Sequence, residues 1–202
     1  MSSGNWLAGN GGVYVVGIGL HPYQFPSDTP YTHLGLTAVR GALADAGLAW
    51  QQVQAAYVGT TSIGMAAGRV MLRHLGSTGL AVTQVENASA SGSFAFRQAC
   101  MEVAHGISDV VLAMGVDKHG DGRRAANKDG LERLSDTATI PAVKFALMAR
   151  SYLREHGGGM ESMAKVAVKN HGNAALNPYA QFRKPRTVSY THLRAHETRE
   201  DL

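Results

Sequence analysis

The fold is decided by Val82 to Lys118, VTQVENASASGSFAFRQACMEVAHGISDVVLAMGVDK. Val82 to Val85 form a short extended run, which Glu86-Asn87 breaks. The six residues Ala88-Ser89-Ala90-Ser91-Gly92-Ser93 are small enough for a backbone turn packed tightly against its neighbours. Phe94, Ala95, Gln98, Ala99, Cys100, Met101, Val103 and Ala104 then recur at helical spacing, and Gly106 ends the run. Asp109 to Val116 give a near-continuous apolar stretch, the pattern of a strand covered on both faces. The order strand, turn, helix, strand places Ser89 where the turn becomes the helix. Unpaired backbone N–H groups and the helix dipole stabilise negative charge there, which suits a nucleophile. On spacing alone the plainer reading is the stronger one: Ser89 or Ser91 is an N-cap, since any such helix needs its first amides satisfied.

Outward from this core the alternation continues. Val13 to Ile18 reads as a buried-type strand ending at Gly17 and Gly19. His33 to Ala46 carries apolar residues at helical spacing and is closed by Gly47. Gln54 to Val58 starts a second strand, Ala66 to Leu75 a helix closed by Gly76, and Leu80 to Val85 a third strand. Strands alternating with helices predict a layered α/β fold with a largely parallel sheet. From His119 the chain turns polar and glycine-rich (HGDGRRAANKDG), and Ile140 to His156 and Met160 to His171 then read as two helices separated by Gly157-Gly158-Gly159.

Composition narrows the function classes. The 202 residues are 45% hydrophobic and 17% charged, a globular balance rather than a disordered one. No apolar run approaches the roughly 20 residues that cross a bilayer, and MSSGNWLAGNGG reads as a loose leader rather than a secretory signal. One cysteine, Cys100, rules out an internal disulfide and fits a reducing, cytoplasmic setting. From Thr187 the apolar periodicity fails. VSYTHLRAHET back-translates into a string resembling a transposase-type sequencing-library adaptor, so residues 187–202 read as adaptor read-through. Setting aside Arg194 and Arg199 with Glu197, Glu200 and Asp201 leaves 17 basic against 12 acidic residues. That mild excess suits an anionic small molecule and falls short of a nucleic-acid patch.

Other motifs are weaker. Val16-Gly17-Ile18-Gly19 is half a dinucleotide fingerprint, but Pro22 stands where the third glycine or an alanine belongs. His105, His119, His156 and His171 are scattered, there is no CxxC, and His192 with His196 lie in the suspect tail, so no metal site is expected. Cys100 lies 11 residues after Ser89, roughly 16 Å along a helix, and reads as a packing residue, not a nucleophile.

The segment VENASASGS, followed by a helix and DVVLAMGVDK, resembles the nucleophile segment of the thiolases, in particular the sterol-carrier-protein-x or lipid-transfer type. VYVVGIGLHPYQFPSDTPYTHLGLTAVRGALADAGLAWQQVQAAYVG is similar to that family's opening, and KNHGNAALNPYAQFRKP to its NHxxAxxNPxAQ stretch, which leads over the acyl-CoA site. The resemblance covers most of Val13 to Arg186. It implies the N-terminal half of a thiolase-like layered α/β fold, stopping within the loop region: leader 1–12, α/β core 13–118, loop-region helices 119–186. The family's catalytic cysteine aligns with Ser89, where this chain has serine. The GHP-type and CxGGG-type motifs of the family's second half do not occur here.

From the resemblance follow a coenzyme A thioester as substrate, no permanently bound cofactor, and 3-oxoacyl-CoA thiolysis or Claisen condensation by a longer parent. A homo-oligomer, a homodimer in the first instance, and a small accessory subunit are the implied partners, with no nucleic acid and no membrane span. The fragment by itself is expected to be inactive. Two alternatives stay open: a Cys-less thiolase-like aldolase subunit of steroid side-chain degradation, and a non-catalytic lipid-binding or scaffold subunit.

Overall fold

The computed structural model describes residues 12–24, 27–118 and 141–187, which fall into two compact units. The first contains residues 12–21 and 27–118. Helix α1 (Tyr31–Ala46) leads through one 3-10 turn to strand β1 (Ala55–Gly59); helix α2 (Ala67–Leu72) and strand β2 (Ala81–Val85) follow, then helix α3 (Ser91–Ala104) and strand β3 (Val111–Gly115). Gly47 ends α1 in the left-handed conformation, φ 66°, returning its N–H to the Ala44 carbonyl at 3.2 Å.

The sheet is parallel with order β2-β1-β3. From β1 the chain steps one way to β2, then back across to β3. Right-handed crossovers therefore require α2 and α3 on opposite faces. Alternation along β1 agrees: Val58 meets Gly68 of α2, while Gly59 meets Ser91 of α3. The α1/α2 face holds the main core, built on Leu36, Val39, Trp50, Val53, Ala56, Val58, Met71 and Leu72. On the α3 face, Tyr57 donates to Glu102 Oε2 at 2.5 Å and Ser108 Oγ donates to Oε1 at 2.5 Å. The hydrogen bond to Glu102, with burial, raises the Tyr57 phenol above its ordinary pKa.

Two expectations are corrected. Val13 to Ile18 is not a strand. Gly17 and Gly19 lie directly against the Ala42 and Ala38 carbonyls of α1, and Asp45 Oδ2 accepts the Ile18 N–H at 2.8 Å, taking a donor that a sheet ladder would use. Tyr14, Val15, Val16 and Ile18 remain exposed. Nor is β3 buried on both faces; it is half-buried at the edge of the described sheet, and β1 is the covered central strand. The apolar run was a sound signal for a strand, but it did not contain the strand's neighbours.

The second unit contains residues 22–24 and 141–187, with helices α4 (Pro141–His156) and α5 (Met160–Ala175). Between them Gly157 and Gly158 take positive φ, 74° and 99°. After α5, the Asn177 carboxamide accepts the Tyr179 N–H at 2.9 Å, and the Tyr179 carbonyl accepts the Tyr23 N–H at 2.9 Å. Among the described residues no helix is long and apolar enough to cross a membrane. The leader (residues 1–11), the polar loop from His119 and the tail from Val188 lie outside the described residues.

At Gly59 an added Cβ would stand 2.5 Å from the Ser91 carbonyl oxygen, a clash with backbone that no rotamer relieves. Gly59→Ala is therefore expected to cost about 1–3 kcal/mol of stability, read as a lowered urea midpoint.

Candidate functional site

In the parallel register Gly59 pairs with both Val85 and Gly115, so all three strands end in one row. The segments that leave this row, 60–62, 86–90 and 116–118, share one edge of the sheet. The carboxyl ends of parallel strands are where open α/β folds build their sites.

Residues 86–90 form a tight turn held by its own polar groups. Glu86 Oε1 accepts the Ala88 N–H at 2.6 Å, and the Asn87 carbonyl accepts the Ala90 N–H at 2.9 Å. Ser91 Oγ accepts the Asn87 N–H at 2.8 Å and donates to the Ala88 carbonyl at 2.8 Å; its side chain is buried. The clamp holds Ala88 at φ 45°, a left-handed conformation that costs a residue with a Cβ about 1–3 kcal/mol. Such strain persists only where surroundings over-determine it.

Ser89 follows Ala88 on this turn and is exposed. It stands two residues ahead of α3, whose N-cap is Ala90 and has no side-chain cap. Neither serine is the N-cap that spacing alone favoured. Ser91 is the first helical residue, and its hydroxyl turns back to the loop. None of the turn's hydrogen bonds uses Ser89 Oγ, so no base is seated on that hydroxyl among the described residues. The Ser91 N–H donates to the Ala88 carbonyl at 3.2 Å; the amides that follow it in the first turn have no intrahelical acceptor, which leaves the start of α3 with donors for an anionic or carbonyl oxygen. Cys100 is half-buried deep in α3, and burial pushes its thiol pKa up, away from nucleophilic character.

Two functional features escaped the sequence reading. Asp117 ties down the segment after β1: Oδ1 accepts the Ser62 N–H at 3.0 Å, and Oδ2 accepts the Thr61 N–H at 3.2 Å and the Thr61 hydroxyl. Charge is also unevenly divided. Residues 141–187 hold eight Lys and Arg against Glu155 and Glu161, whereas 12–21 and 27–118 hold five against six acids. In the second unit, His171 near the start of the NHxxAxxNPxAQ stretch meets Phe182, the residue just past its end, edge-on at 6.2 Å.

Residues 18–190 match the family described as thiolase, N-terminal domain. The chain belongs to the thiolase family. Its relatives include sterol carrier protein 2 of Gallus gallus, 33% identical, with 87% of this chain and 35% of that protein covered. Acetyl-CoA acetyltransferase of Methanothermobacter thermautotrophicus is 34% identical, with 87% and 48% covered. Among solved structures, the Ltp2-ChsH2(DUF35) aldolase superposes with a TM-score of 0.69 at 27% identity, covering 93% of this chain and 49% of that one. This thiolase-family chain thus spans between a third and a half of the length of these relatives.

Removing the Ser91 hydroxyl strands a buried N–H and carbonyl in a strained turn. Ser91→Ala should cost about 1–3 kcal/mol, whereas Ser89→Ala should stay within about 0.5 kcal/mol. Paired urea titrations of the two variants check this contrast.

Proposed function

We propose that the chain is the N-terminal part of an enzyme acting on a coenzyme A thioester, making or breaking a carbon–carbon bond beside a carbonyl. The thioester is received at the turn 86–91, at the start of α3. The observation that carries this reading is the strained, Ser91-clamped turn, which brings position 89 to a helix start at the carboxyl ends of parallel strands. The basic excess of the sequence before residue 187, 17 Lys and Arg against 12 Asp and Glu, supports an anionic coenzyme, whose phosphates need cationic partners.

Two routes are open to such an enzyme, and Ser89 separates them. Acyl transfer needs a nucleophile at position 89. A cysteine there gains from the helix start because its thiolate is accessible near neutral pH, but a serine hydroxyl ionises far less readily and needs a seated base. We favour a retro-aldol route without an acyl-enzyme, because position 89 carries a serine where acyl transfer gains from a thiolate. Here the first-turn amides polarise the thioester carbonyl, and the acid–base groups come from the rest of a longer polypeptide. Support comes from the likeness to the Ltp2-ChsH2(DUF35) aldolase over 93% of the chain. That name also joins two components, so a small accessory subunit enters the proposal, with a homo-oligomer as the parent's assembly.

The full-length polypeptide is assayed for cleavage of 3-hydroxyacyl-CoA to an aldehyde or ketone and a shortened acyl-CoA, and for thiolysis of 3-oxoacyl-CoA. The account expects aldol cleavage, changed less than about tenfold by Ser89→Ala, and thiolysis that stays negligible in Ser89→Cys. A rise in thiolysis of about 10²-fold or more in Ser89→Cys, without aldol cleavage by the parent, would establish the acyl-transfer route instead.

A further inference from the structure

We propose that Asp117 is a positioning residue for position 89, acting through the segment after β1 on the turn that precedes α3. The inference rests on the reading of position 89 as substrate-facing, and it adds a residue two places beyond β3, on a different strand end from the turn.

The linkage runs through named hydrogen bonds. Among the described residues the Asp117 carboxylate accepts from the N–H groups of Thr61 at 3.2 Å and Ser62 at 3.0 Å, the Thr60 hydroxyl at 3.5 Å, and the Thr61 hydroxyl. Thr60, so anchored, is 4% exposed and donates its N–H to the Val85 carbonyl at 3.2 Å. Val85 is the last residue of β2, and Glu86, its successor, opens the turn by accepting the Ala88 N–H. From the other side the Gly59 carbonyl accepts the Val116 N–H at 3.0 Å, which keeps Asp117 in register with the end of β1. The row of strand ends is thereby locked on both sides of β1, with the first turn of α3 resting on Gly59.

Only an acceptor-only group satisfies four converging donors. An asparagine offers one oxygen and turns an NH2 group toward donors it cannot accept. Asp117→Asn should therefore loosen Thr60–Ser62, free Val85 to shift, and let position 89 drift from the amides of α3.

The sign of a thiol titration separates positioning from charge. Removing a nearby negative charge lowers a thiol's pKa; moving the thiol away from a helix start raises it. In the full chain carrying Ser89→Cys, iodoacetamide alkylation is followed against pH by peptide mass mapping, and Cys100 in the same molecule reports opening of the core. The introduced thiol should titrate about one unit below the ~8.5 of free cysteine. Adding Asp117→Asn should raise the midpoint by about one unit and slow alkylation at pH 7 about threefold, because the greater nucleophilicity of the more basic thiol offsets part of the lost thiolate. Cys100 should react as before, and Glu102→Gln, which breaks contacts elsewhere on α3, should leave the midpoint in place.

If Asp117→Asn does not fold, Asp117→Glu, which keeps the charge but displaces it by one methylene, is expected to shift the midpoint in the same direction. A midpoint that falls or stays fixed in the Asp117 variant overturns the inference, as does Cys100 accelerating in parallel. An introduced thiol that titrates near 8.5 with Asp117 intact defeats the reading of position 89, and the inference with it.

Discussion

The first turn of α3 rests on bare backbone, and the rest of the described site depends on that contact. Gly59 and Gly115 close the paired ends of β1 and β3, and Gly92 follows Ser91 at the helix start; a Cβ added to Gly115 would already stand 3.5 Å from the Gly92 Cα. A side chain at Gly59 would lift the helix off the sheet and take the turn with it. With the helix seated, Ser91 is buried and its hydroxyl can hold Ala88 in a conformation that alanine rarely adopts. Local strain is thus stabilised by packing beneath it. The result is a short, exposed residue delivered to the positive end of a helix.

The division of charge complements this arrangement. The α/β unit is close to neutral and supplies a rigid platform of parallel strands, while the helical unit carries most of the positive charge. A few oriented amides at the reacting carbonyl are what the α/β unit offers a thioester.

Much of this was legible in the residues. The helix ends at Gly47 and Gly106, the three strands of the sheet and the helices around Gly157-Gly158-Gly159 all follow from apolar spacing and glycine punctuation, because those signals are local. What failed was non-local. The run at Val13 to Ile18 has strand chemistry, but Asp45 takes its donor and the small residues of α1 take its backbone. Ala88 carried no sign of its left-handed conformation; Asn87 beside it is the residue type that usually adopts one. The Asp117 anchor joins residues more than fifty positions apart, and only the sheet register brings them together.

The central claim is that the start of α3 receives the carbonyl of a coenzyme A thioester. The most direct measurement is a crystal structure of the proposed full-length polypeptide with a non-cleavable acyl-CoA analogue bound. The account predicts the acyl carbonyl oxygen about 3 Å from first-turn amides of α3, beside Ser89. An analogue bound with its carbonyl away from the turn 86–91 would contradict it.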